Sequence, residues 1–311
     1  MICAYTLQRW EALGEAIRSV RAQRYAATEI VLVVDHAPEL EAAGRAAWPE
    51  LRVVANRERQ GLSGARNTGL DEAKGAVVAF LDDDAVAAPD WLERLAAAYA
   101  DERVIGAGGD VRPHWLEGRP PWFPAEFDWV VGCSHSGMPR STQRVRNLIG
   151  ANMSFRRDIM VRAGGFRHEL GRVGTIPAGC EETELCIRLA AAWPDGLIMY
   201  EPGAVVDHVV PARRASLRYF VSRCGAEGRS KAILAGFAGS AAGLAAERTY
   251  VRRTLPVGFL RGLGETVRGR PAGAARAAVL VLGLLATVRG YAAGRRAVRA
   301  ALPPPAAAGA R

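Results

Sequence analysis

The stretch Ala76-Val77-Val78-Ala79-Phe80-Leu81-Asp82-Asp83-Asp84 is an apolar, β-branched run that ends in three consecutive carboxylates. Runs of this kind are typical of strands buried on both faces of a parallel sheet, and ligands bind beyond the carboxyl ends of such strands. Three adjacent carboxylates repel one another unless a cation holds them together. The stretch therefore predicts a buried strand that ends at a divalent metal ion carrying a phosphate.

A simpler interpretation of the three acids is a solvated turn that caps a helix beginning near Pro89. The long apolar strand in front of the acids favours the metal site, because a solvated turn does not require a buried approach.

The first hundred residues alternate between short apolar runs and helical patterns, which is the βαβ rhythm of a mostly parallel, Rossmann-like sheet flanked by helices. Strands are predicted at residues 2–5, 29–35, 52–55, 76–81 and 104–108, and helices at 10–23, 38–47, 63–73 and 90–100. Residues 112–147, rich in Pro, Gly and Trp, predict a long ordered loop of the kind that forms lids or binding sites. The pattern continues with strands at 151–155, 197–200 and 204–207 and helices at 157–163 and 182–192.

The basic character of the chain belongs to its last third. Residues 212–311 carry 18 Lys and Arg against 3 Asp and Glu, whereas residues 1–211 carry 23 against 29. Such a block indicates an anionic partner, either nucleic acid or an acidic membrane surface. Residues 216–234 have the composition of an interfacial helix, although the same pattern would also suit a helix that covers the catalytic domain or pairs two subunits.

Targeting and redox signals are sparse. The apolar segment 277–288 is too short to cross a bilayer, which takes about 20 residues, and no secretory signal peptide is visible. The five cysteines form no Cys-x-x-Cys pair, so neither a disulfide framework nor a zinc site is predicted. We expect a cytoplasmic protein, with contact between the C-terminal helices and the inner face of the membrane as an open alternative.

Polar side chains also follow other predicted strands. Asp35 ends the second strand and could accept a hydrogen bond from a base or sugar, and Arg66 and Asn67 lie at the start of a helix, where phosphate or nucleoside groups can bind. A simpler explanation of these residues is that Ser63 is an ordinary N-cap of the helix. His208 follows a short strand; as a third metal ligand it would favour Mn²⁺ over Mg²⁺, and as a plain surface or core histidine it would have no such role.

Three acids, Glu181, Glu182 and Glu184, lie just before and within the first turn of a predicted helix. Acids at this position complement the helix dipole, which is sufficient reason for their presence. The functional interpretation assigns one of them as a general base that deprotonates an acceptor hydroxyl, and spacing favours Glu182.

The order of these motifs, over about the first 210 residues, resembles that of inverting family 2 glycosyltransferases with the GT-A fold, including glucuronosyltransferases that act on glucosyl-dolichyl phosphate. The resemblance implies substrate contacts at Ala4, Tyr5, Thr6, Asp35, Arg66, Asn67, Asp82, Asp83, Asn152 and Glu181. It also implies metal binding by Asp82, Asp84 and His208, with Asp84 as the direct ligand of a DxD-type motif, and Glu182 as the catalytic base. Two departures from the family pattern are Glu182, where an aspartate is usual, and Val34-Asp35-His36, which lacks a second aspartate.

The resemblance implies a GT-A catalytic domain at 1–211, with a nucleotide-sugar half at about 1–110 and an acceptor half at about 111–211. A basic helical extension at 212–302 and a disordered tail at 303–311 follow. The expected reaction is metal-dependent transfer, with Mn²⁺ or Mg²⁺, from a nucleoside diphosphate sugar, by preference a UDP-sugar, to a hydroxyl on a glycan or lipid-linked acceptor. No nucleic acid partner is expected, and a homo-oligomer stays open.

Two other functions remain at this point. A DxD-type phosphatase usually needs a downstream lysine, and the chain offers only Lys74 and Lys231. A non-catalytic basic module that binds membrane or nucleic acid leaves the acidic strand ends unexplained.

Overall fold

The computed structural model describes residues 1–171 and 179–301, and a nine-stranded sheet forms the centre of this part of the chain. The strands are β1 Ile2–Ala4, β2 Val31–Val34, β3 Arg52–Ala55, β4 Val77–Asp82, β5 Ala85–Ala87, β6 Val104–Trp115, β7 Gln143–Arg144, β8 Asn152–Arg156 and β9 Leu197–Val210. The helices are α1 Trp10–Arg21, α2 Pro38–Ala47, α3 Leu62–Glu72, α4 Trp91–Ala98, α5 Arg157–Arg162, α6 Glu181–Ala192, α7 Leu217–Gly243, α8 Ala245–Thr249, α9 Leu255–Val267 and α10 Ala272–Ala301. Short 3₁₀ turns form at Leu7–Arg9, Ala125–Val131 and Ala212–Ala215, and a π-helical turn at Tyr250–Thr254.

The sheet is mixed and mostly parallel. Its order is β3-β2-β1-β4-β8-β6-β9-β5, with β7 also paired to β9. The first four strands in this order are parallel, and β6 and β9 share their direction because β4 and β6 both run antiparallel to β8. Strands β5, β7 and β8 run the other way. The predicted α/β class with helices on a largely parallel sheet is therefore confirmed.

The N-terminal half follows the hydrophobic pattern closely. All four residues of β2 are buried, as expected for a strand covered on both faces. Helix α1 buries Leu13 and Ile17 against this half of the sheet, and α2 buries Leu40. These helices cover one face of strands β1 and β2, and the carboxyl ends of the strands border a pocket.

The structure corrects three predictions of secondary structure. Strand β6 continues to Trp115, into the segment predicted as a loop, because its pairing with β9 carries on past irregularities after Val104 and Gly109. The two short strands predicted at 197–200 and 204–207 are one strand, β9. Strands β5 and β7 were not predicted, since three and two residues are too few to show a pattern.

Residues 120–133 form part of a core rather than a lid. Phe123 and Phe127 are buried, and their rings lie 5.4 and 5.1 Å from the ring of Phe220 on α7. Phe220, Cys224 and Leu234 on α7 are likewise fully buried. Of the roles left open for residues 216–234, the structure shows the covering one, since α7 packs against residues 120–133 through these buried side chains.

Helix α10 packs along α7 through glycines. Gly290 lies directly against the backbone of Gly225, and Gly283 leaves room for the rings of Phe127 and Phe220. The helix runs past both Arg276 and Arg289, so it is longer than the apolar segment seen in the sequence, and by length and composition it could cross a membrane. The tail predicted to be disordered, 303–311, lies outside the described residues.

The side chain of Asn152, in β8, links neighbouring elements of the fold through buried hydrogen bonds. Its amide nitrogen donates to the carbonyls of Asp110 (3.0 Å) and Ala204 (2.7 Å), and its oxygen accepts from the indole of Trp91 (2.8 Å). The side chain is fully buried. The prediction that Asn152 faces the sugar or acceptor is therefore wrong, because its hydrogen bonds serve β6, β9 and α4.

We expect Asn152→Ala to lower the free energy of unfolding by about 2–4 kcal/mol, since it leaves an indole and two carbonyls buried without partners. Urea unfolding followed by circular dichroism measures this. Gln8→Ala, which removes an exposed amide, is the control and should change the stability little. Equal stability of Asn152→Ala and wild type would contradict the structural role.

Candidate active site

The carboxyl ends of β1, β2 and β4 meet at one edge of the sheet, because these neighbouring strands are parallel. They line a pocket together with the 3₁₀ turn after β1 and the start of α3. Its lining residues are Cys3, Ala4, Tyr5, Arg9, Asp35, Leu62, Ala65, Asp82 and Asp83. Ala4, Tyr5, Asp35, Asp82 and Asp83, five of the residues predicted to bind substrate, are thus brought together.

Strand pairing brings His208 beside the three aspartates. Strands β5 and β9 are antiparallel, with Ala85 opposite His208, and the amide of Val209 donates to the carbonyl of Asp84 (2.9 Å). The ring Nε2 of His208 consequently lies 3.2 Å from Asp84 Oδ1. One ligand atom from each of Asp82, Asp84 and His208 falls within 4.8 Å of the others, so the three residues predicted as metal ligands form a cluster.

This cluster fits a divalent cation. Two carboxylates and an imidazole are a donor set that Mn²⁺ accepts well. Among the described residues, the buried Asp83 Oδ2 has no hydrogen-bond partner, which is costly for a carboxylate in the interior. A bound cation would relieve the repulsion among these carboxylates.

Arg9 and Arg214 reach the aspartates, and sequence reasoning did not find them. Arg9 lies 2.6 Å from Asp83 Oδ1 and 3.1 Å from Asp84 Oδ2, and Arg214 lies 3.4 Å from Asp84 Oδ2. Arg9 sits in the turn after β1 and Arg214 in the turn after β9, so a basic residue shortly after a strand end was the available signal. Both arginines are well placed to bind diphosphate oxygens.

These contacts shift the pKa values of the two neighbouring aspartates in opposite directions. Burial raises the pKa of Asp83 to about 7, with repulsion from Asp84 adding to this and Arg9 opposing it. Burial also acts to raise the pKa of Asp84, but His208, Arg9 and Arg214 outweigh it and hold the pKa well below its usual range. Asp84 is therefore the carboxylate that stays ionised, which suits a direct metal ligand.

Asp35 is a buried acceptor at the pocket wall. Asn56 Nδ2 donates to its Oδ1 (2.7 Å) and the amide of Gly61 to its Oδ2 (2.9 Å). Gly61 has a φ of 133°, which favours glycine and lets the chain turn into α3 at this point. Asp35 thus anchors the turn as well as facing the pocket.

Three other predicted substrate contacts are engaged within the protein. Arg66 is buried behind the acids, where it pairs with Glu181 (2.9 Å) and Asp82 (3.5 Å). Asn67 exchanges hydrogen bonds with the backbone of Phe166, and Thr6 caps its own 3₁₀ turn. None of the three lines the pocket, so the structure gives them positioning contacts and their substrate contacts stay predictions.

The three acids of α6 differ in their partners. Glu184 pairs with Arg188 and Arg167, both at 2.8 Å, and Glu181 pairs with Arg66. Glu182 accepts a hydrogen bond from Thr183 (3.1 Å) and has no ion-pair partner among the described residues. Burial raises its pKa to about 8, with the charge of Glu181 adding to the effect. Of the three, Glu182 is the carboxylate left available as a base.

Helix α7 holds the beginning of α6. Cys180, which precedes α6, has a φ of 76°, an unfavourable value for a residue with a side chain, and its Sγ donates to Glu227 Oε1 (3.5 Å). The amide of Gly179 donates to Ser230 Oγ (3.3 Å), and Lys231 neutralises Glu227 at 3.4 Å. Part of the region predicted as a basic extension is therefore a support for the acid-bearing helix, which sequence reasoning missed.

We expect Glu227→Gln to lower kcat about tenfold or more while leaving nucleotide-sugar affinity within about twofold of wild type, because a small displacement of α6 misplaces the base but not the pocket. Steady-state kinetics and calorimetry measure the two effects. Glu265→Gln, which removes a pair with Arg276 away from this cluster, is the matched control. An unchanged kcat in Glu227→Gln would contradict the supporting role.

Comparisons with known proteins identify the family. A sequence profile of glycosyl transferase family 2 matches residues 1–162. The chain is 34% identical over 238 residues to the glucosyl-dolichyl phosphate glucuronosyltransferase of Haloferax volcanii, covering 75% of this chain and 76% of that protein. The chain belongs to glycosyl transferase family 2. It is also 30% identical over 231 residues to the succinoglycan biosynthesis protein ExoM of Rhizobium meliloti, covering 71% and 70% of the two chains.

A solved structure shows the same fold. A mannosyltransferase from Pyrobaculum calidifontis, solved with GDP-Man and Mn²⁺, superimposes with a TM-score of 0.58 at 18% identity, over 93% of this chain and 86% of that one. The GT-A fold is therefore confirmed. As a family 2 member the protein is a glycosyltransferase that uses a nucleotide sugar, which rules out the phosphatase and the non-catalytic module as its primary function.

We expect Asp84→Asn to weaken Mn²⁺-dependent nucleotide-sugar binding by about a hundredfold or more, since it removes the ionised ligand while keeping the side-chain shape. Calorimetry with and without Mn²⁺ measures this. Asp90→Asn, at a half-buried aspartate that pairs with Arg94 outside this cluster, is the control and should bind like wild type. Metal-dependent binding that survives in Asp84→Asn would contradict the assignment.

Proposed function

We propose that this enzyme transfers a hexuronosyl or hexosyl group from a UDP-sugar to a hydroxyl of a lipid-linked sugar phosphate, with inversion at the anomeric carbon. The similarity to the Haloferax volcanii glucuronosyltransferase, which extends over three quarters of both chains, supports a uronic acid donor and a polyprenyl-type acceptor. A reaction at the cytoplasmic face of the membrane accords with such an acceptor.

The cluster of Asp82, Asp84 and His208 is the observation that carries the proposal. A bound Mn²⁺ or Mg²⁺ would neutralise negative charge that develops on the departing diphosphate. Arg9 and Arg214 supply further cationic donors for the diphosphate oxygens, and the strand ends at Ala4 and Asp35 form the wall for the nucleoside.

Glu182 acts on the acceptor side. As the acceptor oxygen bonds to the anomeric carbon, the bond from that carbon to the diphosphate oxygen breaks, and Glu182 takes the hydroxyl proton. A phosphate monoester acceptor is already ionised near neutral pH and needs no such base. The available carboxylate of Glu182 therefore favours a hydroxyl acceptor over a polyprenyl phosphate itself.

Transfer assays with matched acceptors test the proposal. With Mn²⁺ present, UDP-glucuronate should glycosylate a glucosyl polyprenyl phosphate, and UDP-glucose and GDP-mannose should serve as weaker donors. Transfer to unglycosylated polyprenyl phosphate in preference to its glucosyl derivative would contradict the hydroxyl acceptor.

We expect Glu182→Gln to reduce kcat by about a thousandfold with donor binding nearly unchanged, since only proton removal is lost. In wild type, kcat/KM for the acceptor should rise with pH and level off above a pKa near 8, because the raised pKa of Glu182 keeps it protonated, and inactive as a base, below that pH. Glu182→Asp, which restores the residue usual in the family, should regain part of the rate. A flat pH profile would exclude this role.

A further inference from the structure

Two adjacent C-terminal helices leave apolar faces without a partner in the described residues. Gly262 of α9 lies against Gly273 and Ala277 of α10, so the helices pack side by side. The outward face of α9 presents Val257 (56% exposed), Leu260 (66%) and Val267 (88%). These positions recur at intervals of three and seven residues, which places them on one side of the helix.

Helix α10 repeats this arrangement. Val281, Leu285 (61% exposed) and Val288 (56% exposed) are spaced by four and three residues and face away from the glycine-lined contact with α7. Ala278 and Ala292 extend the same exposed row toward either end of the helix. Exposed aliphatic side chains grouped in this way mark an interaction surface rather than the scattered apolar residues of an ordinary exterior.

The charge around this surface is almost entirely positive. Residues 250–301 contain ten arginines and one acid, Glu265, which is paired with Arg276. Arg268 and Arg270 are exposed in the turn between the two helices, directly after Val267, and Arg252, Arg253 and Arg289 are exposed as well. Apolar side chains bordered by arginine are the features by which a helix lies in the interface of an anionic bilayer.

We propose that the outward faces of α9 and α10 form a docking surface for an anionic lipid bilayer, with the apolar rows in the headgroup boundary and the arginines on the lipid phosphates. A second copy of the chain is the rival occupant, but two such surfaces brought together would oppose arginine to arginine. The glycine-mediated packing of α10 on α7 keeps one face of α10 inside the protein, so docking is peripheral. The surface does not depend on the acceptor proposed above.

Vesicle flotation tests this with the full chain and lipids that contain no glycosyl acceptor, so that the outcome is independent of the transfer reaction. Phosphatidylcholine vesicles containing phosphatidylglycerol should bind the protein at least about tenfold more tightly than phosphatidylcholine alone, and high salt should weaken that binding. Analytical ultracentrifugation without lipid should show no association through this surface.

Two variants separate the apolar and the charged contributions. Leu285→Gln with Val288→Gln should reduce binding about tenfold or more at either salt concentration, and Arg268→Gln with Arg270→Gln should abolish most of the preference for anionic lipid. Leu116→Gln, at an exposed leucine outside α9 and α10, is the matched control. Circular dichroism and nucleotide-sugar binding should be unchanged in all variants.

Three results would overturn the proposal: wild-type vesicle binding by Leu285→Gln with Val288→Gln, equal binding to neutral and anionic vesicles, or a dimer in the absence of lipid that the same double variant dissociates. The last result would assign the surface to a second copy of the chain.

Discussion

The site depends on the repulsion among three consecutive aspartates held at the end of a buried strand. Strand β4 leaves Asp82, Asp83 and Asp84 at the sheet edge, where Arg9 and Arg214 balance part of their charge and the His208 ring lies 3.2 Å from Asp84. Within the described part of the chain, Asp83 still has a buried oxygen without a hydrogen-bond partner. Because like charges at this distance cannot all remain ionised unaided, the arrangement favours a bound cation, and that cation would in turn attract a diphosphate.

Two sets of contacts make the first part of the C-terminal region belong to the catalytic unit. Arg214 comes from the turn after β9, and α7 holds the start of α6 through Glu227, Ser230 and Lys231. Removal of the 3₁₀ turn at Ala212–Ala215 together with α7 would therefore disturb both the aspartates and the helix that carries Glu182. Helices α9 and α10 have a different character, since one side packs onto this unit and the other remains apolar and basic.

Much of the fold was readable from hydrophobic periodicity, and the reasons for the failures are local. Strands β2, β3 and β4 lie within two residues of their predicted bounds, because each is built on a short unbroken apolar run. Strand β6 was cut short because Gly108, Gly109 and Pro113 look like loop residues, and only its pairing with β9 reveals the strand. The prediction for Asn152 failed because the sequence does not distinguish an asparagine that bonds to buried backbone groups from one that binds a sugar.

The site residues likewise divide into those that the sequence predicted and those that only the structure reveals. Asp82, Asp84 and His208 could be proposed because each ends or follows an apolar strand, whereas the contacts of Arg9 and Arg214 depend on long-range packing, for which a basic residue after a strand end is only a weak signal. Calorimetry of UDP-glucuronate binding to the wild-type protein tests the central claim most directly. The account predicts tight binding with Mn²⁺ and a loss of about a hundredfold or more in chelator. Equal affinity under both conditions would contradict it.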